Sequence, residues 1–203
     1  GKTGYSRHPE TLRWYGRLGA LKKRHDVVVA EMILRGYNHH SPMEFSMAKG
    51  DDETGDTVTK YVDLPYRQFE ILREKYRDRE PGRIPLPVNC QQLWAQHKYS
   101  ILSRDPAFYK VVGPKVAKES SDVLFKELSL DFVKRLGDTP EKGRLLNGLL
   151  HMWGYVSEYM DDPNPPKAMD ELLKKIGELA VKYDKRYLLH STALSDLALY
   201  VCT

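Results

Sequence analysis

The apolar residues of this chain recur at helical spacing, and that periodicity is the strongest constraint on its fold. Leu124, Leu128 and Phe132, for example, fall four residues apart and would share one face of a helix. No series of alternating apolar and polar residues marks successive strands. We therefore expect an all-α fold of about seven to nine helices in two packed parts.

Cap residues, prolines and glycines indicate where these helices begin and end. His8 fits an N-cap before Pro9 at a first helical position. Gly16 and Gly19 are expected to bend or divide the first helix. The run from Glu141 to Tyr159 is expected to be the longest amphipathic one. The predicted helical segments begin near Pro9, Pro65, Cys90, Pro106, Ser121, Glu141, Met169 and Leu194.

Residues 44–62 carry the weakest structural signal. The run AKGDDETGDT within them is acidic, contains glycine and lacks large apolar side chains, which is typical of a flexible loop. We expect a boundary between two parts of the chain there, with a short extended segment at 57–62. Pro81-Gly82 is expected to end a helix, and Pro85 and Pro87 predict an extended connector.

Positive charge is concentrated in the opening stretch Gly4–Met43. This stretch holds seven lysine or arginine residues against three acidic ones, and the excess of +4 equals the net charge of the 203-residue chain. Four of the seven histidines lie there as well. Such a field permits a polyanionic partner such as nucleic acid but does not demand one.

Composition and motifs exclude several classes of protein. No run approaches the ~18 apolar residues of a membrane-spanning helix, and no hydrophobic signal segment opens the sequence. The two cysteines, Cys90 and Cys202, make neither a disulfide framework nor a zinc ligand set. No phosphate-binding glycine loop or His-Glu-x-x-His motif occurs. We expect a soluble cytoplasmic protein with no membrane partner, no metal and no cofactor.

Three arginines of the opening stretch have a spacing that suits a phosphate backbone. Arg13, Arg17 and Arg24 fall at steps of four and seven, so a continuous helix would align them on one face. Guanidinium groups make bidentate hydrogen bonds to phosphate, and aromatic residues nearby, including Trp14 and Tyr37, could stack on exposed bases. The alternative is a solvated basic face with the aromatic rings buried, and the residues alone favour that alternative.

Two adjacent histidines follow near the end of the opening stretch. His39 and His40 could contact phosphate or bind a metal. Neighbouring loop histidines are usually solvated, and no carboxylate or thiol lies at ligand spacing from them. We therefore expect a phosphate contact rather than a metal site.

Two groups of polar residues lie at helical spacing in the second half of the chain. The first comprises Arg144, Gly148, His151 and Tyr155. The second comprises His97, Lys98, Tyr99 and Arg104. If the two helices pack together, these groups would converge on a pocket for an anionic ligand. The alternative, which the residues alone favour, is helix capping and polar groups satisfied within the core.

The opening stretch also contains a long series of residues that match a known family. These residues are Gly4–Glu10, Leu12–Trp14, Leu21, Arg24-His25, Glu31-Met32, Arg35–Tyr37 and His39–Pro42. The series resembles a segment of the pyrimidine-dimer DNA glycosylases of the endonuclease V type. Residues 57–63 and 68–75 are similar to the continuation in longer relatives, so the resemblance covers roughly residues 1–78. It implies an all-α fold and recognition of UV-damaged DNA.

The resemblance also implies a mechanism whose residues we expect to be missing here. In that family the α-amine of an N-terminal residue attacks the sugar C1′ to form an imine, and a glutamate on the first helix assists. The lesion is reached by displacing a base from the stack. Both residues precede the segment matched by Gly4–Pro9, and neither Gly1 nor Glu10 corresponds to them by position. The resemblance therefore assigns no catalytic residue in this sequence.

The second half is similar to a different family. Trp94–Leu102, Tyr109–Gly113 and Asn147–Tyr155 resemble a YbgA-type domain, a family without an established biochemical activity, and this resemblance covers roughly residues 90–200. Together the two resemblances predict three parts. These are a glycosylase-like helical segment at 1–78, a proline-rich connector at 79–89 and a YbgA-like helical domain at 90–203.

The sequence thus predicts a DNA-binding protein related to the repair of UV-induced pyrimidine dimers, with UV-damaged duplex DNA as its partner. The predicted DNA contacts are Arg7, His8, Arg13, Trp14, Arg17, Lys22, Arg24, Arg35, His39 and His40. One alternative is an enzyme, or a protein that binds a small anion or nucleotide, with its pocket in the YbgA-like half. The other is a non-catalytic helical interaction module. The sequence predicts no oligomeric state.

Overall fold

The structure is a computed structural model that describes residues 4–34, 37–40, 43, 61–77 and 85–201. Those residues form ten α-helices and no strand, and seven of the helices have seven residues or more, so the all-α prediction is confirmed. Among the described helices none is long and apolar enough to span a membrane. The helices are α1 Pro9–Arg13, α2 Leu18–Leu34, α3 Pro65–Lys75, α4 Cys90–Leu102, α5 Pro106–Lys118, α6 Asp122–Leu136, α7 Lys142–Trp153, α8 Met169–Lys182, α9 Arg186–Leu189 and α10 Ala193–Ala198.

The chain divides into two compact units, residues 1–64 and residues 65–203. In the first unit the described helices are α1 and α2, and none of its described residues is buried. The second unit holds α3 to α10 and every buried apolar side chain of the described residues. The domain bounds that the sequence predicts at residues 78 and 90 stay a prediction. Residues 44–60, which include most of the loop predicted at 44–62 and of the extended segment predicted at 57–62, lie outside the described residues, as does the Pro81-Gly82 turn.

The opening helix is divided at Gly16. His8 caps α1 as predicted, because its Nδ1 accepts a hydrogen bond from the Glu10 backbone N–H at 3.2 Å and Pro9 occupies the first turn. Gly16 has a φ of 70°, in the left-handed region that glycine enters without steric cost. The chain therefore turns between α1 and α2, and no continuous helix runs from 9 to 34.

Helix α4 lies at the centre of the second unit. It contacts α5, α6, α7 and α10, and α3 packs on α6. Leu93 and Ile101 of α4 belong to one core cluster with Val112, Leu124 and Phe132 of the neighbouring helices. Burying an apolar side chain of this size stabilises a fold by about 1.5–3 kcal/mol. This core fixes the position of the polar residues that α4 carries.

Side-chain caps set the starts of three helices in the second unit. Asn89, Asp105 and Ser121 begin α4, α5 and α6, and each accepts a hydrogen bond from the backbone N–H three residues later, at 2.9, 2.9 and 3.2 Å. A cap of this kind is worth about 1 kcal/mol. Pro106 occupies the first turn of α5, as predicted. These boundaries follow from local sequence.

The predicted run from 141 to 159 is shorter than expected. It forms α7, which has 12 residues, whereas α6 has 15 and α8 has 14. After Trp153 the backbone tightens, because the N–H groups of Tyr155 and Val156 donate to carbonyls three residues back, and a 3₁₀ turn follows at Ser157–Tyr159. Val156 is nonetheless fully buried. The helical spacing of apolar residues therefore continues beyond Trp153, although the α-helix ends there.

Candidate functional site

Two predicted DNA contacts of the first unit present their charge to solvent. Arg7 lies in the 3₁₀ turn before α1, and Arg24 lies within α2. Both are exposed, and neither forms an ion pair with another described residue. Their guanidinium groups are therefore available to phosphate oxygens.

Arg13, by contrast, is held within the first unit. Its Nη1 donates to both carboxylate oxygens of Glu10 at 3.1 Å, and only 13% of its side chain is exposed. Its guanidinium carbon lies 4.7 Å from the Trp14 ring centroid and 4.8 Å from that of Tyr61, which is cation–π geometry. Arg17 lies beyond the break in the helix, so helical spacing does not give the predicted common face of three arginines.

Lys22 is paired but still accessible. Its ammonium group donates to Asp26, and this hydrogen bond is the main cause that holds the pKa of the Asp26 carboxyl below its usual value. His25 Nδ1 lies 3.3 Å from the other carboxylate oxygen. The Lys22 side chain is 51% exposed. Exposed pairs of this kind are worth at most about 1 kcal/mol, so Lys22 can exchange Asp26 for a phosphate.

Three buried polar atoms of the first unit have no hydrogen-bond partner among the described residues. They are Arg17 Nη1, His25 Nε2 and His39 Nε2. The rings of His25 and His39 meet edge to face with their centroids 5.3 Å apart. A buried polar atom without a partner costs about 1–3 kcal/mol. No group of three or more metal-ligating side chains occurs in the described ranges, these histidines included.

The remaining predicted contacts of this unit differ in their surroundings. His8 uses Nδ1 for the cap of α1, His40 is exposed, and Arg35 lies outside the described residues. Tyr15 and Tyr37 are 71% and 50% exposed. Both of these rings are thus at the surface, where a base can stack on them.

Arg104 of the second unit is engaged within the fold. It pairs with Asp196 through two hydrogen bonds of 2.8 and 3.0 Å, and its side chain is 1% exposed. Its Nε donates to the Asp138 carbonyl at 2.7 Å, and Nη1 donates to the Ser100 carbonyl at 3.1 Å. Arg104 therefore joins α4 to α10 and to the segment before α7.

The structure does not bring His97 and His151 together. His97 Nδ1 lies 3.0 Å from Thr192 Oγ1, and the His97 ring packs on Phe132. Burial lowers the pKa of His97 to about 4, although the Asp196 carboxylate acts to raise it. His151 is exposed on α7, and no hydrogen bond or ring contact of the described residues joins it to His97. His97 is therefore a neutral residue inside the fold at pH 7.

Gly148 is the point where α7 approaches α4. A Cβ at this position would lie 2.0 Å from Ser103 Oγ and 3.3 Å from the Tyr99 carbonyl oxygen. Arg144, one turn earlier, donates to the Arg104 carbonyl at 2.9 Å. The two helices thus pack together at backbone distance, and Gly148 and Arg144 serve that contact.

The packing places three tyrosines around Lys98. Its Nζ lies 4.7 Å from the ring centroid of Tyr99, 5.6 Å from that of Tyr155 and 4.6 Å from that of Tyr187. Tyr155 and Tyr187 stack with centroids 5.1 Å apart. Tyr99 meets both of them edge-on, at 6.2 and 6.4 Å. Of the predicted pocket residues, Lys98, Tyr99 and Tyr155 do converge.

Burial and mutual contact shift the pKa values in this group. Burial is the main cause that raises the pKa of Tyr99. Contact with the Tyr99 hydroxyl, followed by the nearby Lys98 ammonium, lowers the pKa of Tyr155. Burial acts to lower the pKa of Lys98, but its contacts with the Tyr187 hydroxyl and the other phenols raise it overall. Lys98 is therefore a fixed positive charge at neutral pH.

Sequence reasoning missed Tyr187, and the turn after α8 explains its place. Asp184 has a φ of 44°, a left-handed conformation that aspartate tolerates. The Lys185 N–H donates to the Ala180 carbonyl at 2.8 Å, as in common helix endings. Tyr183 and Tyr187 lie four residues apart across this turn. A second tyrosine pair with the same spacing follows α7, and that repeated spacing is the signal that could have found it.

Comparison with known proteins confirms the predicted two-part composition. Residues 1–45 match a family model described as pyrimidine dimer DNA glycosylase, which links that part of the chain to DNA repair. Residues 98–196 match a model described as a protein of unknown function, DUF1722. No curated protein and no solved structure matches the chain. The chain thus joins a segment similar to pyrimidine dimer DNA glycosylases to a domain similar to a family of unknown function.

Proposed function

We propose that the chain binds duplex DNA carrying UV-induced pyrimidine dimers through its first unit, and that it acts in their repair in the cytoplasm. The observation that carries this proposal is the match of residues 1–45 to the pyrimidine dimer DNA glycosylase family. The exposure of Arg7 and Arg24 within the matched residues supports it. Phosphate contacts of this kind position a protein on DNA and dominate its affinity.

The surroundings of each basic residue of the first unit determine how much it contributes to DNA binding. Arg7 and Arg24 are the primary phosphate contacts. Lys22 joins them if a phosphate displaces Asp26, at little cost because that pair is exposed. Arg17 gains a partner for its buried Nη1 if a phosphate oxygen reaches it. Arg13 stabilises the unit and contributes little directly.

The exposed rings of the first unit suit a damaged duplex. A pyrimidine dimer weakens local pairing and stacking, so a base near it leaves the stack at a lower cost. Tyr15 and Tyr37 have the exposure needed to stack on such a base. Preference for irradiated over intact DNA is the expected consequence.

The proposal concerns binding, and it assigns no catalytic residue. Borohydride trapping with irradiated or abasic duplex tests for imine chemistry separately from binding. Clear trapping would show that the chain supplies its own amine and is a glycosylase or lyase.

The test of binding removes two charges and measures the salt dependence. In Arg7→Gln/Arg24→Gln, the slope of log Kobs against log salt for a dimer-containing duplex should become shallower by about 1.8, since each phosphate contact contributes about 0.9. Affinity at low salt should fall with it. Fluorescence anisotropy of a labelled duplex measures both quantities.

The matched control is Lys110→Gln/Lys174→Gln, which removes the same charge from exposed positions of the second unit. It should leave the slope unchanged. If Arg7→Gln/Arg24→Gln behaves like the control, the first unit is not the DNA-binding surface. Equal binding to intact duplex, irradiated duplex and heparin would instead support a non-catalytic interaction module.

The alternative function, a small-anion or nucleotide pocket in the second unit, has less support. It needs Arg104 and His97 to face a ligand, and both are satisfied within the fold. His151 is exposed, and no hydrogen bond or ring contact of the described residues joins it to either of them. Lys98 and Tyr155 remain, and their surroundings suit a different ligand.

A further inference from the structure

Four tyrosines of the second unit form two consecutive stacked pairs. Tyr155 stacks on Tyr187 with centroids 5.1 Å apart and ring planes at 29°. Tyr159 stacks on Tyr183 with centroids 4.2 Å apart and ring planes at 19°. The members of the two pairs are four residues apart in the sequence on each segment. We call these four residues the tyrosine cluster.

The tyrosine cluster is at the surface. Tyr155, Tyr183 and Tyr187 are 42%, 37% and 40% exposed, and Tyr159 is half-buried. Stacking orients the two rings of each pair, and the buried Tyr99 also meets Tyr155 and Tyr187 edge-on. Exposed aromatic rings held in stacked pairs are typical of a binding surface rather than of scattered surface residues.

Cations surround the tyrosine cluster. Lys98 Nζ lies 4.6 Å from the Tyr187 centroid. Lys185 Nζ lies 4.3 Å from the centroid of Tyr159, and Lys182 Nζ lies 5.2 Å from that of Tyr183. Each ammonium group is therefore within cation–π distance of a ring.

Acidic groups at this surface do not cancel its charge. Glu158 pairs with Lys185 at 3.1 Å, and Asp184 pairs with Arg186 at 3.2 Å, both in exposed positions. Lys98 and Lys182 have no carboxylate partner among the described residues. Four cations, Lys98, Lys182, Lys185 and Arg186, thus stand against two carboxylates, and the surface keeps a net positive charge.

We propose that the tyrosine cluster binds single-stranded DNA, with unpaired bases stacked on its rings and backbone phosphates on Lys98, Lys182 and Lys185. Proteins that bind single strands combine these two elements, aromatic rings for the bases and a cationic surface for the backbone. The ammonium groups now over the rings move to the phosphates as bases replace them. The choice of DNA over RNA rests on the function proposed above.

A single strand is a physically consistent partner for a protein that acts on dimers. A base displaced near a lesion leaves part of one strand unpaired. Stacking on the tyrosine cluster does not require duplex DNA, because every base offers a flat face to a ring. We expect weak sequence preference and strong salt dependence.

The experiment compares Tyr183→Ala with Tyr183→Phe in the whole chain, using a labelled oligothymidylate as the probe. Because stacking contributes through the ring, Tyr183→Ala should weaken binding roughly 5- to 100-fold while Tyr183→Phe binds nearly as well as wild type. Lys182→Gln should flatten the salt slope by about 0.7. Lys174→Gln, exposed on the same helix, should leave the slope unchanged.

Circular dichroism melting verifies the fold of each variant, and Val111→Ala serves as a truncation at an exposed site away from the tyrosine cluster. If Tyr183→Ala does not fold, photocrosslinking of a bromodeoxyuridine-labelled strand to the wild-type chain replaces it. Crosslinks at Tyr155, Tyr183 or Tyr187 support the proposal. Crosslinks confined to other residues, or equal binding by folded Tyr183→Ala and wild type, overturn it.

The experiments distinguish failure of one proposal from failure of the other. If Arg7→Gln/Arg24→Gln loses damaged duplex while Tyr183→Ala keeps the single strand, the tyrosine cluster is not a DNA site and the proposed function stands. If the arginine variant keeps the duplex while Tyr183→Ala loses the single strand, the proposed function fails and the tyrosine cluster stands. Tighter binding of the same-sequence RNA than of DNA would overturn the choice of DNA.

Discussion

Arginine side chains serve two purposes in this chain, and their hydrogen bonds separate them. Arg13 and Arg104 direct their guanidinium groups to carboxylates and carbonyls of their own units. Arg7 and Arg24 face solvent without such partners among the described residues. Spacing along the sequence does not distinguish these cases, because a guanidinium group reaches several residues away from its own backbone.

His97 should make the stability of the second unit sensitive to acid. The unfolded chain takes up a proton near pH 6.5, whereas burial keeps folded His97 neutral down to about pH 4, its pKa in the fold. Acid therefore favours the unfolded state, and the free energy of unfolding falls by on the order of 3 kcal/mol as pH drops through that window. Urea denaturation at a series of pH values measures the change.

In His97→Asn this loss should be much smaller, because no proton is gained at that position on unfolding. The Asp196 carboxylate, which faces His97, is common to both proteins. His151→Asn is the control, since His151 is exposed, and it should keep the wild-type profile. An identical profile for wild type and His97→Asn would mean that His97 is protonated in the fold.

At the scale of helices, the contact between α4 and α7 depends on the absence of one side chain. Gly148 lets the two backbones approach, and that approach sets the position of the segment that carries Tyr155. A methyl group there would meet Ser103 Oγ, which is itself buried and hydrogen-bonded to the Tyr99 carbonyl at 2.9 Å. Close packing leaves little room for adjustment.

Gly148→Ala should therefore destabilise the fold by about 1–3 kcal/mol, the usual cost of overpacking. Gly143→Ala on the same helix is the matched control. Nothing lies within 4 Å of the position that its methyl group would take, so it should be neutral or stabilise by up to about 1 kcal/mol through helix propensity. Denaturant unfolding compares the two variants.

A second substitution tests whether the contact with Ser103 Oγ causes the loss of stability in Gly148→Ala. Ser103→Ala removes the atom that the new methyl group would meet at 2.0 Å, so the double variant should recover part of the lost stability. Additive losses would place the strain elsewhere, in the backbone contact with Tyr99.

Helix starts could be predicted from the sequence, whereas the candidate sites could be predicted only in part. Asp105 and Ser121 accept hydrogen bonds from backbone N–H groups three residues away, so these caps can be recognised from the local sequence. Arg104 and Asp196 meet across 92 positions, and no local pattern pairs them. Tyr187 likewise contacts Tyr99 and Tyr155 from distant parts of the chain, and only the repeated four-residue spacing of the tyrosines points to it.

At the scale of the whole molecule, the buried apolar side chains of the described residues are divided unevenly between the two units. The buried apolar side chains of the described residues all come from the second unit. The described part of the first unit has intermediate or exposed side chains and several polar atoms without partners. Binding regions often have low local stability, since their polar groups serve a ligand rather than a core.

A chain of residues 65–203 should therefore fold on its own with a cooperative transition like that of the full chain. Its core cluster is built from its own helices. Circular dichroism melting should give midpoints within a few degrees of each other. A fragment without cooperative unfolding would show that the core needs residues 1–64. The fragment should also lose most of the affinity of the full chain for damaged duplex if the proposed function is right.

The pair of Arg104 and Asp196 determines when the second unit can fold during synthesis. Arg104 emerges from the ribosome 92 residues before its carboxylate partner. At a synthesis rate of about 5–20 residues per second, roughly 5–20 s pass before Asp196 exists. A buried arginine without its partner is strongly destabilising. The second unit is therefore expected to close only after α10 has been made, and the nascent chain before that point is a natural client for chaperones.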